Sequence, residues 1–286
     1  MNNATNTYGL SIIDQKCLTA LVSYDGGRPL VKSINQYDGL KNCEIDGGRI
    51  FIGVDDRMAQ IKKLKIKQSS LFNASAVAQF EMAQCLLEPE SEFYFDNLPL
   101  ESDNGFQRFL TIAYHRHAID RLIEDCEKYL PCPSGFKLDA LALSAGYLTF
   151  CRIEPGDLQA LLNIESDLIT IAFIYKQKLQ AVGYLKSNIH DDMSVESARK
   201  IAGELRMAIS YRQSELFNDG ITIPLSRLIV CGGCARKEII ISAIVEQMAT
   251  ELTLPKFHEG YFQSLPDDEK SFPLEKYLIP LGLAVE

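Results

Sequence analysis

The 286-residue chain has no surplus of positive charge. Its 29 lysines and arginines face 38 aspartates and glutamates, a formal net charge of −9. Nucleic-acid and anionic-lipid surfaces are recognised by clustered Lys and Arg, so this balance argues against a nucleic-acid partner and against direct docking on lipid. No apolar run approaches the ~20 residues of a bilayer span, so no membrane insertion is expected. The opening M-N-N-A-T-N-T-Y lacks the basic and hydrophobic regions of a signal peptide, which predicts a cytosolic protein.

Zinc-site spacing is also missing. Cys231 and Cys234 form one C-x-x-C, but no second C-x-x-C or H-x-x-x-H accompanies it, so four ligands cannot be assembled and no metal site is predicted. Cys17, Cys43, Cys85, Cys126 and Cys151 stand singly among apolar neighbours, where a reduced thiol serves as a small hydrophobe. His190-Asp191-Asp192 reads as a turn before a helix capped by Ser194, and Asp267-Asp268-Glu269 as a solvated loop.

What the chain does contain is two stretches of similar plan. With 47% apolar and 23% charged residues it is an ordinary globular composition, long enough for one large domain or two lobes. Tyr8 to Ser23 reads as strand, polar turn (Asp14-Gln15-Lys16) and strand; Asp25-Gly26-Gly27 turns into a third strand over Leu30–Gln36, and Gly48–Val54 adds a fourth. Farther on, Leu161–Phe173 is again strand, polar turn, strand, with Lys176-Gln177-Lys178 turning into Leu179–Leu185. Between them, 55–130 reads as an insert. It has a basic-faced strand (Met58–Ile66), a helix (Asn73–Leu87, apolar face Val77, Phe80, Ala83, Leu87), strands at Glu92–Leu98 and Phe106–Tyr114, and a helix ending before Pro131. Lys137–Phe150, Ser194–Phe217 and Leu274–Val285 read as further helices.

The stretch L-S-R-L-I-V-C-G-G-C-A-R-K, Leu225 to Lys237, is a β-branched strand, a glycine turn at Gly232-Gly233 and the start of a helix carrying Ile239, Ile240, Ala243 and Ile244. Glycine lets a ligand approach the backbone closely, and a tight connection in any α/β domain reads the same way.

The order of these elements resembles the PilM family of type IV pilus assembly proteins, actin-like relatives of FtsA, over nearly the whole chain. The opening resembles the family's phosphate hairpin G-I-D-I-G-x-x-x-x-K, and L-L-N-I-E-S-D-L-I-T-I resembles its second hairpin. I-V-C-G-G-C-A-R is similar to the adenosine-side S-G-G-x-A loop, and Y-L-I-P-L-G-L-A-V to the closing A-x-x-x-G-L-A helix. The resemblance implies an actin-like, ribonuclease H-like α/β fold of two duplicated lobes: 1–54 with 131–157, and 158–286, with 55–130 as an inserted α+β subdomain. It implies an ATP and Mg²⁺ site at which Gly232, Gly233 and Ala235 face the nucleotide.

Against that pattern several positions depart. Ser11 stands where the family has the aspartate that organises Mg²⁺, Ile13 where it has a glycine, and Leu18 falls near its lysine. Asn163 replaces an aspartate and Glu165 a glycine. A carboxylate aimed at a phosphate a few ångströms away repels it by several kcal/mol at an effective dielectric of ~20, and phosphoryl transfer needs metal and positive charge at that point. The expectation is a vestigial nucleotide site with no catalytic residue and no bound cofactor, in a scaffold of a pilus assembly platform, an MSHA-type system among them. The family implies a partner: the cytoplasmic tail of a PilN-type inner-membrane protein, held in a groove next to the inserted subdomain, with other platform components. Two alternatives remain. One is a working ATPase or sugar-kinase relative using Asp14 or Asp167; the other is the cytoplasmic domain of a type II secretion platform, which normally continues into a membrane helix.

Overall fold

The computed structural model describes residues 6–13, 15–68, 73–103, 105–154 and 156–285. Strands β1 (Thr7–Ile13), β2 (Lys16–Asp25) and β3 (Arg28–Tyr37) form an antiparallel meander. The β2–β3 turn is made by Gly26 and Gly27, both at positive φ. Asp14, expected in the turn after the first strand, lies outside the described residues. β4 (Arg49–Val54) then runs parallel to β1 on its other side.

The chain separates by its contacts into two compact units, Met1–Val54 with Cys126–Glu286, and Asp55–Asp125. The smaller unit contains β5 (Ala59–Lys67), α1 (Ala74–Ala83), β6 (Phe93–Asp103), β7 (Phe106–His115) and most of α2 (Arg116–Glu127). Its sheet runs β5-β7-β6, and α1 covers one face through Ala78 and Met82 against Leu64, Ile66, Phe93, Phe109 and Ala113. Asn73 caps α1 by accepting a hydrogen bond from the Ser75 amide. The expected apolar face of this helix is corrected in part: Val77 packs against the core, whereas Phe80 and Leu87 are exposed, and Leu87 lies beyond the helix end. Ala78 and Met82, four residues apart, are the helix's buried pair.

In the larger unit, residues 137 and 138 belong to a short strand and not to the expected helix. β8 (Gly135–Leu138) pairs parallel with β4, and α3 (Asp139–Phe150) begins directly after it. The second half follows with β9 (Leu158–Ile164), β10 (Leu168–Tyr175), β11 (Lys178–Lys186), α4 (Val195–Asn218), β12 (Leu225–Cys231), α5 (Glu238–Gln247) and β13 (Glu251–Thr253). Ser194 caps α4 through the Ser197 amide, and Lys176 and Gln177 make the β10–β11 turn at positive φ without a glycine. The sheet orders are β3-β2-β1-β4-β8 and β11-β10-β9-β12-β13. In each, three antiparallel strands are followed by two parallel ones, so one plan occurs twice. β13, three residues long, has too few residues to show a period and was not visible in the sequence.

The closing segment, Leu274–Val285, is not the single helix that its sequence predicts. It is a 3-10 turn (Leu274–Tyr277) followed by α6 (Leu278–Leu283), with Pro280 at its third position. All six residues of α6 are buried. The helix packs on α3, β1, β2 and β4, and three glycines let backbones meet there. A Cβ at Gly282 lands on the carbonyl of Ala142, one at Gly146 on that of Leu278, and one at Gly9 on that of Pro280. Lys137 on β8 donates from Nζ to the carbonyls of Gly282 and Val285, at 3.3 and 3.2 Å. Burial holds its pKa below the usual lysine value.

Candidate functional site

The two matched hairpins and the glycine turn meet at one cleft of the larger unit, with a volume of about 230 Å³. From the first half come Ile13, Lys16, Leu18 and Gln36; from the second come Glu165, Ser166, Gly233, Cys234, Lys237 and Lys276. The volume lies below the ~300–1,000 Å³ usual for small-molecule sites.

The glycine turn explains itself from its contacts. Gly232 has φ +93, a conformation that side chains rarely adopt, and a Cβ on it would meet Ile164 and a carboxylate oxygen of Glu165 at 2.7–2.8 Å. A Cβ on Gly233 would meet the other oxygen at 2.7 Å. The close approach that glycine permits here is therefore made by the protein's own second hairpin. Three successive amides of the turn are engaged internally. The Gly232 N–H donates to the Glu275 carbonyl (3.1 Å), the Gly233 N–H to Glu165 Oε1 (2.9 Å), and the Cys234 N–H to the Ile164 carbonyl (2.9 Å). Asn163 Nδ2 also donates to Glu165 Oε1, at 3.4 Å.

Of the predicted site residues, Ile13, Leu18, Glu165 and Gly233 line the cleft. Ser11 does not: it is 0% exposed on β1 opposite Leu18, and its hydroxyl has no hydrogen-bond partner among the described residues. Asn163 is buried beneath Glu165, and Ala235 belongs to the hydrophobic core of the second half. Lys16, Lys237 and Lys276 were not singled out in the sequence. Lys16 sits beside a turn, and Lys276 is aimed by a 3-10 turn that apolar periodicity cannot distinguish from a helix. Lys237 Nζ donates to Asp191 at 2.7 Å, which raises its pKa and lowers that of the exposed Asp191. Among the described residues, Lys16 and Lys276 have no carboxylate partner.

The C-x-x-C is inert in this setting. Cys231 is fully buried, its thiol reaches the Leu162 carbonyl at 3.4 Å, and burial pushes its pKa far up, which removes the thiolate needed for exchange. Among the described residues no group of three or more His, Cys, Asp or Glu side chains is placed to hold a metal ion. Cys85 is exposed, which corrects its expected core position.

In the smaller unit, the aromatic triplet divides as strand alternation dictates. Phe93 is buried and Phe95 packs on the same core. Tyr94 faces out, with its hydroxyl on Asp120 at 2.9 Å and the Arg116 guanidinium 4.0 Å from its ring centroid.

No family model and no curated protein matches the sequence. The fold does match solved structures. A PilM–PilN type IV pilus biogenesis complex aligns over 97% of this chain and 97% of that one at 15% identity, with a TM-score of 0.73. A Bacteroides thetaiotaomicron protein of actin-like ATPase fold and unknown function aligns over 99% and 97% at 10% identity, TM-score 0.53. The cytoplasmic domain of EpsL, an inner-membrane component of the Vibrio cholerae type II secretion system, aligns over 99% and 96% at 10% identity, TM-score 0.50. The chain has the actin-like fold, and no helix among its described residues is long and apolar enough to cross a membrane.

Proposed function

We propose that this protein is a cytoplasmic actin-like scaffold of a type IV pilus assembly platform, of the MSHA type, that binds the tail of a PilN-type inner-membrane protein and does not turn over ATP. The platform assignment is supported by full-length likeness to the PilM–PilN complex. One observation carries the loss of nucleotide function: Glu165 is seated on the Gly233 amide, and the neighbouring amides of the turn are already engaged. The lining residues do not fit a magnesium-bound triphosphate. The turn amides that such a group needs are used, the carboxylate beside them repels it, and Ser11 is sealed inside the sheet, so Lys16 and Lys276 are the cations left to face an anion in the cleft.

Thermal unfolding with and without millimolar Mg²⁺-ATP tests this. A ligand at ~100 times its dissociation constant stabilises by ~2.7 kcal/mol, a shift of several degrees in a protein of this size. No shift is expected. A clear shift together with phosphate release refutes the scaffold reading and restores the working ATPase. The partner is tested separately with a labelled peptide of a PilN-type cytoplasmic tail, for which saturable anisotropy is expected with this protein. Residues 55–114 are the region to map first.

A second reading, the cytoplasmic actin-like domain of a type II secretion platform, is favoured by the likeness to the EpsL domain. Binding of a secretion-platform peptide in preference to the pilus tail would select it.

A further inference from the structure

α4 has two outer surfaces of different character. Its buried side is Ala198, Ile201, Ala202, Leu205, Ile209 and Leu216. On the outside the first half is charged, with Glu196, Arg199 and Lys200, and Arg199 is paired with Glu246 of α5 at 2.9 Å. The second half is not. Met207, Ser210, Tyr211, Ser214 and Phe217 fall on one side of the helix at steps of three and four, and all five are exposed. Met207 and Tyr211 are each 63% exposed and Phe217 62%. Together they place on the order of 400 Å² of side-chain surface in water, the size at which an apolar patch on a monomer usually serves an interface. The Tyr211 ring is held from one side by the Arg212 guanidinium, 5.5 Å from its centroid, and Arg212 is itself fixed by Glu215 at 2.6 Å. An aromatic held in place before contact loses little entropy on binding.

We propose that this row is a self-association surface, on which α4 of one copy packs antiparallel against α4 of a second copy. Four of the five residues pair about residue 212, and Tyr211 falls over the partner's Gln213. Turned end for end, it sets Ser210 against the partner's Ser214, and Met207 against the partner's Phe217. Small residues at the crossing let two helices approach, and the large ones close the seam on either side. The two-fold arrangement also complements charge: Arg206, just before the row, meets the end of the partner's helix, where Asp219 and the last carbonyls carry negative charge. A parallel arrangement sets Arg206 beside the partner's Arg206 instead. Five residues without charge suit a copy of themselves better than an acidic or basic peptide. The seam is about 15 Å long at 1.5 Å per residue, small for a stable complex, so the dimer is weak and concentration-dependent.

Sedimentation equilibrium of the full chain from about 5 to about 200 μM, the range that a small interface populates, tests this. The weight-average mass is expected to climb from 32.0 kDa toward twice that value. Tyr211→Glu should hold it at the monomer across the range. Arg206→Glu and Asp219→Arg should each weaken association at least tenfold, and the two changes combined in one chain should restore it. Circular dichroism establishes that each variant is folded. A wild-type monomer at the highest concentration overturns the proposal. So does a Tyr211→Glu protein that still dimerises, or a charge swap that fails to rescue.

Discussion

Gly282→Ala is expected to destabilise the protein by about 3 kcal/mol or more, lowering the melting temperature by roughly 10 °C. The reason is local and steric. α6 and α3 cross with backbone against backbone, and the added methyl coincides with the Ala142 carbonyl while also reaching the Gly146 amide. Carbonyl and amide belong to a helix whose own hydrogen bonds fix them, so the crossing must open by a carbon's width. That movement is transmitted, because α6 also fills the inner faces of β1, β2 and β4. Thermal and urea unfolding of the variant measure the effect. A loss below ~1 kcal/mol means that the helices part easily and that the tight crossing is not what holds this half together.

Phe150→Ala is the second large effect, with an expected loss of about 3–5 kcal/mol. Phe150 is fully buried at the end of α3, where its ring meets Tyr261 edge-on at 5.6 Å between centroids and Phe262 at 5.9 Å. Phe262 is in turn edge-on to Phe257 at 5.5 Å. These rings come from a segment with little regular structure, and the cluster is what anchors it. Further links support it: the His258 amide donates to the Phe150 carbonyl at 2.9 Å, the Arg152 amide to the Lys256 carbonyl at 2.8 Å, Cys151 bridges to Phe257, and the Arg28 guanidinium lies 5.0 Å from the Tyr261 ring centroid. Truncation leaves a ring-sized cavity and frees the segment. Phe150→Leu should recover about half of the loss. Equal effects of the two changes would mean that ring geometry, and not buried volume, sets the stability here.

Much of the fold was legible because its strands are long and its turns are marked. Asp25-Gly26-Gly27 and Lys176-Gln177-Lys178 delimit the β2–β3 and β10–β11 hairpins, and Ser194 announces α4. What failed was short or degenerate in period. Lys137-Leu138 carry a parallel strand of four residues that runs straight into α3, so no break separates the two patterns. The apolar spacing of Val77, Phe80, Ala83 and Leu87 suits one helix face, whereas the space between sheet and helix accepts Ala78 and Met82. The candidate site was legible in outline only. Glu165 was recognisable as a carboxylate where a phosphate loop needs none, but its bond to the Gly233 amide joins residues 68 positions apart and is a property of the folded chain alone. Lys16 and Lys276 likewise come to line one cleft only in the folded chain.

The clamp from Lys137 to α6 has a further consequence for the order in which the chain can be made. The ammonium and the Gly282 carbonyl lie 145 residues apart. At the usual 5–20 residues per second of synthesis, the last strand of the first sheet waits roughly seven to thirty seconds before α6 leaves the ribosome. Through that interval the first sheet lacks the helix that fills it, and Leu18, Ala20, Val22 and Phe150, which share a core with Leu281 and Ala284, stay open to water or to a chaperone. The N-terminal half is therefore the first part translated and among the last to be sealed. A nascent chain stalled before residue 278 is the species most exposed to proteolysis.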